Sequence, residues 1–285
     1  MQKFEFVSWE PWPHSVIFGS VHWDEKWGTK AILRFVKLLQ NGEIQLKKWS
    51  LTLVAPANPK AYEQNKRYID ANLNRLFKDE YDNLDQVQNA YEFGLAQKLK
   101  PILQQADFFL DLHSMEAAWA PFAFAEKDVL DFATKLWIPY VLHWRGNLYP
   151  DVIWWDTENY VNQHWWIGIT LEWGSHTDPN TEQNLFQWIL NFLVATGQID
   201  KKFFKPLAEQ TKVLELVDAY VAQNSYPDFK YLIQPEHFLP IKKGTPVLQD
   251  GKKIWQAPFD FVLTMPISAK RVKKGEEVFF VAKED

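Results

Sequence analysis

Three short segments hold residues suited to metal-assisted hydrolysis: His22-Trp23-Asp24-Glu25-Lys26-Trp27-Gly28, Asp111-Leu112-His113-Ser114 and Leu171-Glu172-Trp173-Gly174. Each follows an apolar run of strand character. Two histidines and one carboxylate form a recognised catalytic zinc set that leaves a fourth position for water. Such a metal lowers the pKa of its water to about 7 and polarises the carbonyl under attack. A further carboxylate must then take the water's proton and pass it to the leaving nitrogen. His22, Glu25 and His113 meet the first requirement and Glu172 the second, provided the three strand ends share one mouth. The H-x-x-E spacing alone is common. The plain alternatives are a loop histidine at 22 and a hydrogen-bonded core histidine at 113.

A second run adds recognition chemistry. Asn58-Pro59 opens a turn, and the stretch from Arg67 to Phe77 (RYIDANLNRLF) sets Arg67 and Arg75 beside Asn72 and Asn74. Guanidinium groups bind carboxylates bidentately, so this pattern suits oxyanion and carboxylate recognition. The alternative is a polar surface loop whose arginines pair with Asp70 and Asp79.

Taken in order, HWDEKWG, NPKAY with RYIDANLNRLF, DLHS and TLEWG resemble the succinylglutamate desuccinylase/aspartoacylase family, a branch of the zinc carboxypeptidase-like hydrolases. That family's pattern runs approximately H-G-N-E-x-x-G, N-P-x-A with R-x-x-D-x-D-L-N-R, D-x-H-S/T/N and E-x-G. The resemblance implies one Zn2+ per chain on His22, Glu25 and His113, with Glu172 as general base and acid. It implies that Arg67 polarises the scissile carbonyl and that Asn74 and Arg75 grip a substrate carboxylate. Asp111 matches a residue supporting the site from behind a ligand.

The departures are informative. Trp23 stands where the family has Gly, Asp24 where it has Asn, and Asn72 where it has Asp before Leu-Asn-Arg. Aspartoacylase-like members also carry an arginine about ten residues before the catalytic glutamate, for a second substrate carboxylate. Here that position is Asn162, so a simple dicarboxylate is not the expected substrate. The tract instead holds Trp144, Trp154, Trp155, Trp165, Trp166 and Trp173. Indoles beside a catalytic glutamate can form a flat apolar pocket or hold a cation; equally, they can pack a joint between domains. Trp154, Trp155, Arg145 (a carboxylate clamp) and Glu116 (a counter-charge for a cationic group) are candidate substrate contacts. His176 is a candidate for orienting the Glu172 carboxylate.

The elements that must position these groups read as an α/β domain. Apolar runs at 14–20, 49–55, 107–112, 122–125, 139–142 and 167–171 read as strands, and 85–105 and 181–195 as helices. A further helix ends at Gly42, with Thr29 as its cap. Ligand crevices of open α/β sheets lie outside the carboxyl ends of strands, where the three segments fall. After about residue 200 the pattern shifts to short alternating segments cut by Gly and Pro, a small β-rich domain. The expected organisation is a catalytic domain over 1–200 and a β-rich domain over 201–285. The expected fold class is α/β, a zinc-carboxypeptidase-like mixed sheet flanked by helices with a small β-rich C-terminal domain.

Composition narrows the classes further. The 285 residues are 16% aromatic, with 15 Trp, which excludes a chain too polar to fold. No cysteine is present, so disulfides, Cys-ligated zinc and cysteine nucleophiles are excluded. Residues 1–200 carry 17 Lys/Arg against 25 Asp/Glu, a poor surface for nucleic acid. No apolar stretch spans a membrane and no signal-peptide pattern opens the chain, so a cytoplasmic protein is expected, with homo-oligomerisation left open. The expected function is zinc-dependent removal of an acyl group from an N-acyl amino acid or related amine. The alternatives are a metallocarboxypeptidase or amidase acting on a short peptide, and a non-catalytic, Trp-rich binding protein.

Overall fold

Strands β2 (His14–Gly19) and β3 (Ser50–Ala55) are almost wholly buried, as interior parallel strands covered on both faces must be. They belong to a computed structural model that describes residues 1–9, 13–78, 87–117, 119–144, 156–164 and 166–285. The chain divides into two compact units, Met1–Val141 with Val152–Thr211, and Leu142–Asp151 with Lys212–Asp285.

In the first unit the strands run β1 (Gln2–Val7), β3, β2, β4 (Phe108–Met115), β7 (Ile167–Ser175) and β5 (Phe122–Ala125) across the sheet. The pairs β3–β2, β2–β4 and β4–β7 are parallel, whereas β1 and β5 are antiparallel to their neighbours. Helices α1 (Lys26–Gln40) and α6 (Asn180–Ala195) supply one apolar layer, with Ile32, Phe35, Leu185 and Trp188 buried against Ile17, Leu53 and Leu110. On the other face α3 (Tyr91–Leu103), α5 (Thr157–Gln163) and the segment Leu73–Phe77 bury Leu95, Leu99, Tyr160 and Phe77 against Phe18 and Phe109. Short helices α2 (Pro59–Gln64) and α4 (Leu130–Thr134) add to these. From β2 the chain goes to β3 on one side, then to β4 on the other. The crevice at the carboxyl ends of β2 and β4 is therefore a topological switch point, where α/β sheets bind ligands.

Several expectations shift in detail. Helix α1 starts at Lys26 rather than after Thr29. Thr29 lies inside it, buried, with its hydroxyl donating to Ser20 Oγ at 2.8 Å, so it ties helix to loop rather than capping. The helix does end before Gly42, whose φ is +73°. Strands β4 and β7 run three and four residues past their expected ends, so His113 and Glu172 lie within strands and not after them. The helix expected over 85–105 is described from Tyr91 to Leu103 as α3, with Pro101 in its last turn.

The second unit is antiparallel. Strands β8 (Lys212–Val221), β14 (Glu277–Glu284), β13 (Phe261–Thr264) and β10 (Leu239–Ile241) form one sheet, and β12 (Lys253–Gln256), β11 (Pro246–Asp250) and β9 (Phe229–Tyr231) another. Phe229, Val247, Leu248, Phe261 and Phe279 fill the core of this unit. Strand β6 (Tyr140–Trp144) contains the boundary between the units.

Candidate functional site

Gly19 ends β2 beside Leu112 of β4. A side chain at Gly19 would strike the Gly28 backbone at 2.7 Å, so these two glycines let the N-terminus of α1 sit against the strand end. Ser20 takes a left-handed φ of 59° and donates its hydroxyl to the Glu25 carbonyl at 3.1 Å. The tight turn so formed points His22 and Glu25 at β4. Trp23 keeps a negative φ, so this loop needs no glycine there.

His22, Glu25 and His113 come together, all buried, with one potential ligand atom from each within 4.8 Å of the others. Both imidazoles face Glu25 through Nδ1, His22 at 3.0 Å and His113 at 2.6 Å. Both turn Nε2 outward, His22 to Asn72 Oδ1 at 2.9 Å and His113 to Asp111 Oδ2 at 3.1 Å. For His22, the Asn72 amide oxygen accepting from Nε2 fixes the tautomer that leaves Nδ1 free to bind a metal, whereas His113 Nε2 pairs with the Asp111 carboxylate by charge, outside hydrogen-bond geometry. Glu25 Oε2 is buried and, although His113 Nδ1 lies 2.6 Å away, accepts no hydrogen bond of proper geometry. Burial lowers the affinity of His113 for a proton, yet the Asp111 and Glu25 carboxylates outweigh it and hold the group well above the imidazole range. Burial likewise works against the Glu25 charge, and the two histidines hold its pKa well below the carboxylate range. An unsatisfied acceptor and a pull for positive charge, centred on two imidazoles and a carboxylate, fit a divalent cation.

Glu172 stands opposite His113 in the β4–β7 register. Its Oε2 is also buried without a hydrogen bond. Burial pushes its pKa to about 8 despite the nearby His113 charge, with Glu25 and Asp111 adding to the rise and Arg67 opposing it. Arg67 donates from Nη1 to both Asp24 oxygens at 3.2 and 3.1 Å and to Glu25 Oε1 at 3.2 Å. Asn74 is buried and accepts the Thr157 amide through Oδ1 at 3.3 Å. Arg75 is exposed, and its Nη1 donates to the Asn74 carbonyl at 2.6 Å.

Two residues absent from the motif reading hold this arrangement. Glu92, fully buried in the first turn of α3, accepts hydrogen bonds from the backbone of Ile69, Asp70 and Ala71 and from Asn58 Nδ2. It anchors the segment that carries Arg67, Asn72 and Asn74. Thr157 donates its hydroxyl to Asp111 Oδ2 at 2.5 Å, and its amide reaches Asn74. Neither has a diagnostic spacing; Glu92 reads in sequence as one more acidic residue inside the helix expected over 85–105.

The other candidates make different contacts, and of these His176 still lies within electrostatic reach of Glu25, Asp24, Arg67 and His22. His176 shares a 2.8 Å hydrogen bond with Ser114 Oγ and makes none to Glu172, because the strand β7 that carries Glu172 ends before His176 turns back over β4. Glu116 is exposed, and its carbonyl accepts from Ser175 Oγ. Asn162 is bound to both backbone groups of Gly168, at 2.7 and 3.3 Å. Arg145, Trp154 and Trp155 fall outside the described residues, as does Trp165. The described tryptophans of that tract do not gather. Trp173 packs on the core beneath α1 and α6, Trp166 on the opposite core, and Trp144 against Phe280 in the second unit.

Residues 11–193 match the model of the succinylglutamate desuccinylase/aspartoacylase catalytic domain. A protein of Prochlorococcus marinus (strain MIT 9301) named "Probable aspartoacylase" is 26% identical over 222 residues, which is 69% of each chain. Among solved structures, succinylglutamate desuccinylase/aspartoacylase from Rhodobacter sphaeroides aligns with a TM-score of 0.73 at 18% identity, over 97% of this chain and 87% of that one. The product-bound ectoine utilization protein EutE (DoeB) from Ruegeria pomeroyi aligns with a TM-score of 0.75 at 18% identity, over 98% and 88%. The fold is that of these structures, and with the family model spanning well over half its length, the chain belongs to the succinylglutamate desuccinylase/aspartoacylase family.

Proposed function

We propose that the protein is a zinc-dependent hydrolase that removes an acyl group from the nitrogen of an N-acyl amino acid or related amine, and that its substrate is not a simple dicarboxylate. The observation that carries this reading is the β4–β7 register, which sets Glu172 opposite His113 at the edge of the buried His22–Glu25–His113 group. Bound by those three residues, zinc would supply Lewis acidity toward water and the acyl carbonyl.

The chain's own residues do the rest. Glu172 takes the proton of the attacking water and returns it to the leaving nitrogen. Its buried carboxyl, pushed up to about 8, holds a proton readily at neutral pH, as delivery to an amine demands, and a neighbouring cation brings it down to where it accepts one. Arg67 donates to the carbonyl oxygen as negative charge develops there. Asn74, whose Nδ2 makes no hydrogen bond among the described residues, and Arg75 beside it receive the carboxylate of the amino acid. Asn162, committed to the Gly168 backbone, offers nothing to a second carboxylate.

Glu172→Gln tests the central role. The variant is expected to retain metal, by elemental analysis, while hydrolysis of N-acyl amino acids falls at least ~100-fold, the scale of a lost general acid–base. Wild-type turnover by the variant would remove Glu172 from the reaction. A substrate panel of acidic, basic, aromatic and long-chain N-acyl amino acids, with short peptides alongside, separates deacylation from peptide cleavage.

A further inference from the structure

Arg67 makes its hydrogen bonds to Asp24 and Glu25 entirely through Nη1, which leaves Nε and Nη2 without a hydrogen bond among the described residues. Asp24 lies in the loop between β2 and α1, two positions after His22. Its side chain is 27% exposed, against 3% for Glu25. Of the two acidic partners of Arg67, only Asp24 faces the solvent side of the site. Three carboxylates, Glu25, Asp24 and Glu172, act on this one guanidinium, so its charge is already answered before any substrate arrives.

We propose that Asp24 positions Arg67 and sets acyl-group specificity: it grips Nη1 so that Nε and Nη2 face the acyl carbonyl, and its charge favours neutral acyl groups over those ending in a carboxylate. This rests on the deacylase reading above. There, Arg67 meets the carbonyl that the acyl chain extends from, while Asn74 and Arg75 hold the other side of the scissile bond. An acyl chain therefore leaves the reacting carbon on the Asp24 side. A carboxylate on that chain meets Asp24 within a Debye length, about 8 Å at physiological ionic strength, at a place where Arg67 is already shared. A neutral acetyl or aliphatic chain meets no such repulsion. The presence of Asp rather than Asn at 24 matters because either side chain can accept a bond from Nη1, but only Asp adds a charge.

The test compares N-acetyl and N-succinyl derivatives of one neutral amino acid on the zinc-supplemented full chain, with metal content measured in every variant. The wild type is expected to favour the acetyl compound. In Asp24→Asn the succinyl-to-acetyl ratio of kcat/KM should rise at least fivefold, and in Asp24→Glu, which keeps the charge, it should stay near the wild-type value. Calorimetric titration with succinate and propionate gives a second readout, and the ratio of their Kd values should move in the same direction by a similar factor. A shift below fivefold in both readouts overturns the assignment. Should neither compound be hydrolysed by the wild type, the deacylase reading fails on its own, and the titration still decides whether Asp24 discriminates by charge.

Discussion

His22 and His113 present the same nitrogen to Glu25 but lean on acceptors of different charge, the neutral Asn72 amide and the Asp111 carboxylate. A carboxylate behind a ligating imidazole raises its basicity, and an amide does so less, so the two histidines would be unequal donors to a bound metal. Support of this kind extends to Glu92. Four hydrogen bonds converge on this buried carboxylate, three of them from consecutive backbone amides of the segment 69–71. Glu92→Gln replaces one acceptor oxygen by an NH2 facing these donors. The expected result is a loss of about 2–4 kcal/mol, the scale of one or two hydrogen bonds to a charged group, read in urea unfolding. Hydrogen exchange should show residues 67–75 losing protection ahead of the sheet, and kcat should fall more than KM changes, since Arg67 rides on this segment.

At the scale of elements, α5 carries a buried acid, Glu158, that the proposed reaction does not use. Glu158 is buried, and burial, reinforced by the charges of Asp156 and Glu126, holds its pKa well above the carboxylate range. The unfolded chain releases this proton near the ordinary glutamate value of 4.5, while the folded chain retains it to higher pH. Stability is therefore fully present below about 4.5 and declines as pH rises toward the folded pKa. Glu158→Gln removes that dependence and keeps an acceptor for Asn162 Nδ2, which now bonds Glu158 Oε1 at 3.4 Å. Its Tm should match the wild type near pH 4 and exceed it at pH 8, by about 2–4 °C for each kcal/mol relieved. Scanning calorimetry across that range checks the sign. The strands themselves teach a related lesson. Gly19 falls in a strand pattern and Gly28 in the HWDEKWG motif, and the structure shows that both are needed so that helix and strand can touch.

At the scale of the molecule, the site depends on groups brought from far along the chain. His22 and Glu25 follow β2, His113 lies in β4 and Glu172 in β7, neighbours across the sheet but separated by crossover helices. A cation held by His22, Glu25 and His113 would therefore bind the folded unit and not the unfolded chain, and would stabilise it by mass action. At a free zinc concentration of 100 times Kd this is worth about 2.7 kcal/mol, or roughly 5–10 °C in Tm. Chelation should remove the increment, added zinc should restore it, and His22→Ala should show neither change. A Tm that is the same with and without zinc in the wild type would count against this site as a metal centre. Among the described residues no helix is long and apolar enough to cross a membrane.

By itself, the sequence named a candidate donor set, the family and the alternation of apolar runs that makes an α/β unit followed by antiparallel strands. These are properties of residue type and local period, which survive without knowledge of partners. Where strands end was less accessible, because His113 and Glu172 are polar residues that a pattern of apolar runs counts as loop, whereas sheet pairing continues through them. Only the tertiary structure decided what each polar group faces. It turned Arg67 onto Asp24, His176 onto Ser114 and Asn162 onto Gly168, and it sent Trp144, Trp166 and Trp173 to three different apolar surfaces. The reason is physical. Hydrogen bonds and charge pairs act over a few ångströms in space between residues tens of positions apart, as with Asn58 and Glu92 or Thr157 and Asp111, and no periodicity in the chain records which of the many acids a buried donor will meet.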